Sequence, residues 1–166
     1  HSKILLSSGS WVTLEIFSSP KVTLYNSSMI EVHPFGAFVP KNARYLILGS
    51  FPGKELGDWF YGSIRNQFWL ILEKVYNLPL KDKKSKEELF VKLEMAISDI
   101  ILSCQRSKNS NLDMNLTNIT FNLEVVENIL RTQKITTIFF SSRFVENLFK
   151  TDIFKYTFGH GTKKQK

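Results

Sequence analysis

A short apolar segment that runs directly into a loop rich in glycine and proline constrains this chain more than any other feature. Residues 45–48 read Tyr-Leu-Ile-Leu, and Gly49 to Gly53 follow as Gly-Ser-Phe-Pro-Gly. Short apolar runs bounded by such residues are typical of buried, parallel strands. The segment 65–76 then repeats its apolar residues with helical spacing, which predicts a helix. A strand, a loop and a helix in this order indicate one unit of an α/β fold.

The rest of the chain continues the alternation of strands and helices. Residues 81–86 predict a solvated charged linker, and Ser85 with Glu88 predicts a capping box. The following helix would place Leu89, Phe90, Leu93, Ala96 and Ile97 on one side. Residues 100–102 fit either a strand or a continuation of that helix. The Asn-rich segment 105–120 predicts a surface loop.

The last third of the predicted domain consists of a helix, a strand and another helix. Asn122 would cap a helix through residue 130, residues 135–140 form a β-branched and aromatic strand, and Ser141-Ser142 opens a final helix through Phe149. The whole pattern predicts a three-layer α/β/α domain with a central, mostly parallel sheet. In such sheets the ligand crevice lies at the carboxyl ends of the strands, where the 49–62 loop would stand.

Composition excludes several classes of site and leaves one domain of ordinary size. The chain has 166 residues, 43% of them apolar. Its single cysteine, Cys104, and three widely separated histidines predict no disulfide and no metal site, and a protein of a reducing compartment, here taken as cytoplasmic. No segment approaches the about 20 apolar residues of a membrane helix. We therefore expect no membrane association and no cofactor.

The net charge of +7 is concentrated at the two ends of the chain. Residues 1–28 carry +1, residues 151–166 carry +3, and the segment between them carries only +3. We interpret 1–28 as an extension before the domain, with an edge strand over 11–17 as the alternative, 29–150 as the domain, and 151–166 as a basic tail. Charge alone does not indicate a nucleic-acid partner.

The 49–66 segment contains the residue types that a pocket for a planar, polar ligand needs. Aromatic residues follow the strand in the loop, and Arg65 and Asn66 stand where the next helix begins. A flipped-out base requires faces to stack on, an edge partner and room for a water molecule. Each residue also has an ordinary interpretation: Phe68 and Trp69 as core, Arg65 as a surface charge, and Asn66 as a helix cap. The aromatic loop residues are Phe51, Trp59, Phe60 and Tyr61.

The same segments resemble the uracil-DNA glycosylase superfamily, and within it the hypoxanthine-DNA glycosylase branch. The resemblance extends from about Met29 to about Lys150. Its motifs are the His-Pro-Phe at 33–35, the Gly-Ser-Phe-Pro-Gly at 49–53, the Arg-Asn-Gln-Phe-Trp at 65–69, the Ser-Cys-Gln-Arg at 103–106, and the strand at 137–140.

This resemblance implies a monofunctional, metal-independent glycosylase that flips a deaminated nucleotide from DNA and hydrolyses its N-glycosidic bond. Asn66 would orient the attacking water, because Phe51 occupies the position of the asparagine that other branches use. Arg65 would contact DNA, and Asp58 and Asp99 remain general-base candidates only by elimination. Hypoxanthine would be preferred, with uracil and xanthine open, and a monomer is expected. The predicted pocket consists of Gly49, Ser50, Phe51, Pro52, Gly53 and Tyr61.

The end of the chain departs from the family pattern. The Ser-Pro-rich loop with which the family grips DNA is absent after Phe149, and His160 lies in a glycine-flanked basic segment with no expected catalytic role. We interpret this as loss of the family reading frame near Lys150. Two alternatives therefore stay open: an inactive, nucleic-acid-binding remnant of the fold, and a small nucleotide- or phosphate-binding α/β domain.

Overall fold

The computed structural model describes residues 2–5, 11–14, 29–108 and 110–153, the first two ranges by their backbone only. The predicted tail from residue 154 onward, with His160, lies outside the described residues. The elements, in chain order, are β1 (Ser2–Leu5), β2 (Trp11–Leu14), β3 (Glu31–Val32), β4 (Tyr45–Gly49), α1 (Phe68–Tyr76), α2 (Lys83–Lys92), β5 (Met95–Asp99), β6 (Ile101–Arg106), β7 (Leu116–Phe121), α3 (Leu123–Thr132), β8 (Thr137–Phe140) and α4 (Arg143–Leu148).

A parallel sheet of three strands, in the order β5-β4-β8, forms the centre of the domain. Leu46 of β4 pairs with Ala96 on one side and with Ile138 on the other. The predicted strands at 45–48 and 135–140 are thus confirmed, and so is a mixed α/β fold with a small parallel sheet. No helix among the described residues is long and apolar enough to cross a bilayer.

The central strand β4 buries side chains on both of its faces. Leu46 and Leu48 are fully buried, and Leu48 packs in a cluster with Val126 of α3 and Val145 of α4. Ile47 points the other way and packs against the aromatic cluster that contains Trp69. Burying a large aliphatic side chain stabilises a fold by roughly 1.5–3 kcal/mol, so this strand anchors the carboxyl end on which the site is built.

A second sheet, which is antiparallel, corrects the prediction of a loop over 105–120. Its strand order is β3-β6-β7, so β6 continues to Arg106 and β7 occupies most of the second half of the predicted loop. Thr117, Asn118 and Thr120 face solvent, while Ile119 packs inward. The polar composition that suggested a loop is therefore the solvent-exposed face of a strand.

The prediction of one helix through Ile97 is wrong, because α2 ends at Lys92 and β5 begins at Met95. Glu94 takes a left-handed φ of 51° between the two elements. The apolar positions fit a helical period, but residues 95–97 are also a short apolar run of the kind found in strands, and burial of Ala96 and Ile97 in the sheet decides the outcome. Residues 101–102 belong to a strand, one of the two alternatives.

The start of α2 also differs from prediction. The cap is Asp82, whose carboxylate accepts a hydrogen bond from Ser85 N at 2.8 Å, and the reciprocal side-chain bond completes the box. Ser85 is thus the third helical residue and Glu88 takes no part. Lys86, predicted as solvated, is buried and forms an ion pair of 2.5 Å with Asp58.

Helix α1 begins at Phe68, three residues later than predicted, and only part of its apolar face is covered. Trp69 is buried, but Val75 and Tyr76 are 66% and 41% exposed. The final helix follows Ser142 as predicted, and the hydroxyl of Ser142 accepts a hydrogen bond from the backbone of Val145. β2 confirms a strand at 11–14, although it pairs with β1 in a separate sheet.

Candidate functional site

A cavity of about 330 Å³ opens at the carboxyl ends of β4 and β5. Its volume lies in the lower part of the roughly 300–1,000 Å³ range of small-molecule sites. Every predicted site residue lines it except Gly49, which lies beneath it. The residues that line the cavity include Ser50, Phe51, Pro52, Gly53, Tyr61, Arg65, Asn66, Asp99, Asn111, Asp113 and Ser141.

The buried guanidinium of Arg106 holds one side of the 49–53 loop. Its Nε donates to both carboxylate oxygens of Glu31, at 3.0 and 2.9 Å, and its Nη2 donates to the carbonyl oxygen of Pro52. Its central carbon lies 5.6 Å from the ring centroid of Phe51. Arg106 therefore fixes both the backbone and the aromatic side chain of the loop, which explains why this arginine is buried.

Two residues of the β6–β7 connection hold the other side of the loop. Asp113 accepts a hydrogen bond from the Ser50 hydroxyl at 2.7 Å. The Asn111 carboxamide accepts one from Lys54 N at 2.9 Å and packs against the Cα of Gly53. The loop that was predicted as the ligand-facing element is consequently braced from both sides before any ligand arrives.

A buried histidine–aspartate pair positions Asp99, which lines the cavity. His33 Nε2 donates to Asp99 Oδ2 at 2.8 Å, and the two side chains are only 4% and 6% exposed. The other ring nitrogen of His33, Nδ1, accepts a hydrogen bond from the backbone N of Phe35 at 3.1 Å, which orients the imidazole. Asn122 occupies the N-cap position of α3 as predicted, but its side chain makes no cap hydrogen bond and donates its amide to the Asp99 carbonyl oxygen at 3.2 Å. Asp99 is thus fixed through both its side chain and its backbone.

Tyr61 directs its hydroxyl to the floor of the cavity. Its φ of 54° lies in the left-handed region, which is unusual for a large side chain and marks a conformation held by its surroundings. Tyr61 Oη is buried, and none of the described residues forms a hydrogen bond with it. Burial first, and the negative charge of Asp99 second, raise the pKa of Tyr61 far above its ordinary value, while the nearby Ser141 hydroxyl opposes the rise. The phenol is therefore protonated.

Gly49 is the point at which these groups converge. A β-carbon on Gly49 would overlap Asp99 Oδ1 and lie 2.9 Å from Tyr61 Oη. Only glycine allows both side chains to approach the end of β4 so closely. The role predicted for the Gly49 backbone, lining the pocket, is replaced by that of leaving space for two polar groups.

Asn66 and Arg65 stand at the mouth of the cavity, and both are exposed. Asn66 Oδ1 accepts a hydrogen bond from the Phe68 amide at 2.9 Å, so the asparagine does brace the start of α1. Its amide nitrogen and a second lone pair on Oδ1 stay available to a water or ligand. Asn66 thus forms a local turn before α1, whose N-cap position is Gln67, while it lines the cavity.

The aromatic residues of the loop have unequal roles. Trp59 and Phe60 touch the cavity but are 2% and 3% exposed, and they belong to the core with Trp69, whose indole nitrogen donates to the Phe60 carbonyl at 2.7 Å. Phe51 is only partly buried and lines the cavity. Of the four predicted wall residues, Phe51 and Tyr61 are therefore the ones with surface to offer a ligand.

The electrostatics of the cavity come mainly from carboxylates. Asp99 and Asp113 line its interior, while the cation Arg65 lies at the rim. Such a lining repels an anion and favours a neutral ligand that carries N–H donors. Across 29–108 and 110–153 no three His, Cys, Asp or Glu side chains are grouped closely enough to hold a metal ion.

Sequence reasoning did not find the His33–Asp99 pair or Asp113. His33 was noted only as part of a motif, and Asp99 only by elimination. An available signal was that Asp99 ends an apolar run as Gly49 does, which would have placed both at the same edge of a parallel sheet. Assigning 95–97 to a helix concealed it.

Comparison of the chain with protein-family models gives no match, and comparisons with curated proteins and with solved structures give none either.

Proposed function

We propose that this chain is a monofunctional DNA glycosylase of the uracil-DNA glycosylase superfamily that removes deaminated bases from DNA. In this proposal the helices and the parallel sheet form the three-layer α/β/α arrangement of that superfamily. Hypoxanthine is the preferred base, and uracil and xanthine are further candidates. The protein acts as a cytoplasmic monomer on DNA, without metal or cofactor.

One observation carries the proposal: the cavity combines an aromatic wall, an amide side chain at its mouth and hydrogen-bonding groups on its floor. Phe51 offers an aromatic face for stacking, Asn66 lies at the mouth of the cavity, and Tyr61 and Asp99 supply hydrogen-bonding groups deeper in its lining. A flipped base needs these three elements in one pocket.

In the proposed reaction a water molecule, oriented by the carboxamide of Asn66, attacks C1′ of the flipped nucleotide. The N-glycosidic bond breaks with its electron pair moving to the base, and the base takes up the proton that the attacking water loses. The products are the free base and an abasic sugar. Orientation of the water and electrostatic stabilisation supply the acceleration, since no covalent intermediate between the base or sugar and the protein is required.

The carboxylates in the cavity argue against a site for free phosphate or for a nucleotide phosphate. Asp99 and Asp113 would face the anion, and the loop amides do not offset two negative charges. The inactive, DNA-binding remnant is the second candidate, favoured by the phenylalanine at position 51, whose side chain cannot hydrogen-bond to a water.

The test is single-turnover release from duplex oligonucleotides that contain one hypoxanthine or one uracil. We expect release by the unmodified chain and a loss of about 100-fold or more in Asn66→Ala. Because Asn66 also braces the start of α1, Asn66→Ser, whose hydroxyl can still accept a hydrogen bond from the Phe68 amide, should keep the brace but not the activity. Asn128→Ala, an exposed asparagine on α3, is the matched control.

The possible results separate the two candidates. Salt-sensitive binding of DNA without release of either base by the folded chain would refute the glycosylase and favour the remnant. Equal activity of Asn66→Ala and Asn128→Ala would remove Asn66 from the mechanism.

A further inference from the structure

We propose that Tyr61 and Asp99 read the edge of the flipped base, and that they select bases with a lactam edge, in which a ring N–H adjoins a carbonyl. Hypoxanthine, xanthine and uracil all carry this edge. The inference deepens the proposed glycosylase function and rests on it, but it concerns recognition rather than bond cleavage. Its basis is the pair of polar groups that converge above Gly49.

The two groups differ in hydrogen-bonding character. The Tyr61 hydroxyl is protonated and, apart from the Ser141 hydroxyl beside it, meets no hydrogen-bonding partner among the described residues, so its proton is available to a ligand. The Asp99 carboxylate only accepts. A donor beside an acceptor complements an edge that presents one carbonyl oxygen and one N–H, with Tyr61 Oη donating to the carbonyl and Asp99 Oδ1 accepting from the ring nitrogen.

His33 makes the arrangement directional. It occupies Asp99 Oδ2, so that Oδ1 is the oxygen directed toward Gly49 and Tyr61. With the imidazole itself held by the backbone N–H of Phe35, the carboxylate cannot rotate without breaking a buried hydrogen bond. His33 is a positioning residue, because it acts on the base only through Asp99.

The fixed order of donor and acceptor explains how adenine and cytosine, the bases that deaminate to hypoxanthine and uracil, would be rejected. Adenine and cytosine also present a donor next to an acceptor, but with the ring nitrogen as acceptor and the exocyclic group as donor. In a site that places an acceptor opposite the ring nitrogen, two lone pairs would face each other. Sites built around a substrate hydrogen bond discriminate strongly for this reason.

The experiment measures binding, so that recognition is separated from catalysis. In an Asn66→Ala background, equilibrium affinity is determined by fluorescence anisotropy for duplexes with one hypoxanthine or one unsubstituted purine, which lacks both the ring N–H and the carbonyl. We expect hypoxanthine to bind about 10-fold or more tightly. Tyr61→Phe and Asp99→Ala should each bring the affinity ratio close to one. Tyr45→Phe, at the opposite end of β4, should preserve it.

The outcomes are distinct for the two proposals. The proposed recognition of the base edge is overturned if the hypoxanthine-to-purine affinity ratio is unchanged by both substitutions, or if it is already one in the parent. Either result holds whether or not the chain releases bases. A ratio that depends on Tyr61 and Asp99 in a chain that never releases a base supports the reading and refutes the glycosylase. Tyr61→Phe keeps the aromatic ring, so it decides the question alone if Asp99→Ala does not fold.

Discussion

Gly49→Ala tests whether the floor of the cavity is as closely packed as described. The added β-carbon would lie 2.9 Å from Tyr61 Oη and 3.1 Å from Asp99 Cγ, and it would overlap Asp99 Oδ1. Ordinary contacts begin at about 3.4 Å. The carboxylate therefore has to retreat, and His33 loses the hydrogen bond that links β3 to β5.

The expected destabilisation follows from these two effects. Overpacking in a filled core costs about 1–3 kcal/mol, and loss of a buried hydrogen bond to a charged group costs about 1.5–3 kcal/mol. Replacing glycine in the unfolded chain offsets about 0.4–1 kcal/mol. We expect the free energy of unfolding of Gly49→Ala to fall by about 2–4 kcal/mol, together with any binding of hypoxanthine-containing DNA.

The assay is urea unfolding followed by circular dichroism, with Gly36→Ala as the matched control. Gly36 has no atom within 4 Å of the position of a β-carbon, and its φ is not left-handed. Gly36→Ala should therefore equal or slightly exceed the parent in stability. If the two alanine variants unfold at the same urea concentration, the close approach of Asp99 and Tyr61 to Gly49 is wrong.

Two further predictions concern the supports of the fold. Arg106→Ala removes the brace between Glu31 and the Pro52 carbonyl, and should lower the free energy of unfolding by about 2 kcal/mol or more. Arg106→Lys keeps the charge but not the forked guanidinium, so it should recover only part of this loss in thermal unfolding. Full recovery of stability by Arg106→Lys would assign the effect to charge alone. The backbone amide of Ser85 lowers the pKa of Asp82 below its ordinary 3.8, so the carboxylate stabilises α2 fully above that value and loses its contribution as the pH falls through the lowered pKa. The difference in unfolding free energy between the parent and Asp82→Ala should accordingly shrink in that acidic range. Asp82→Asn, whose cap does not titrate, should keep a constant difference from Asp82→Ala. A difference between the parent and Asp82→Ala that does not change with pH would refute the role of the Asp82 carboxylate as a cap.

The central strand and its loop were predictable because several signals agreed there. The apolar run before Gly49 is too short for a helix, and the glycines and proline that follow end it. The cavity was accordingly expected at the carboxyl end of β4, where the structure has it. The length of the apolar run, the turn residues after it and the helical spacing that follows all indicate the same order of strand, loop and helix.

The segments on either side of β5 were not predictable in the same way. Residues 89–97 fit helical and strand spacing equally, and only pairing with β4, which is distant in the chain, selects the strand. The burial of Lys86 depends on Asp58 and on the ring of Trp69, with its Nζ 5.3 Å from the ring centroid. The secondary structure of 89–97 and the burial of Lys86 are thus decided by contacts between residues that are distant in the sequence, which a short sequence segment does not show.

The His33–Asp99 bond joins residues 66 positions apart, and the Arg106–Glu31 and Ser50–Asp113 bonds join residues 75 and 63 positions apart. The entropy of closing such long loops has to be overcome before any of these bonds forms, so the cavity is expected to assemble late in folding. Partly folded chains would then be unable to bind at all. A ligand that fits the finished cavity would bind only the native state and raise the melting temperature in proportion to its concentration and affinity, so thermal shift becomes a direct screen for the bases that this chain accepts.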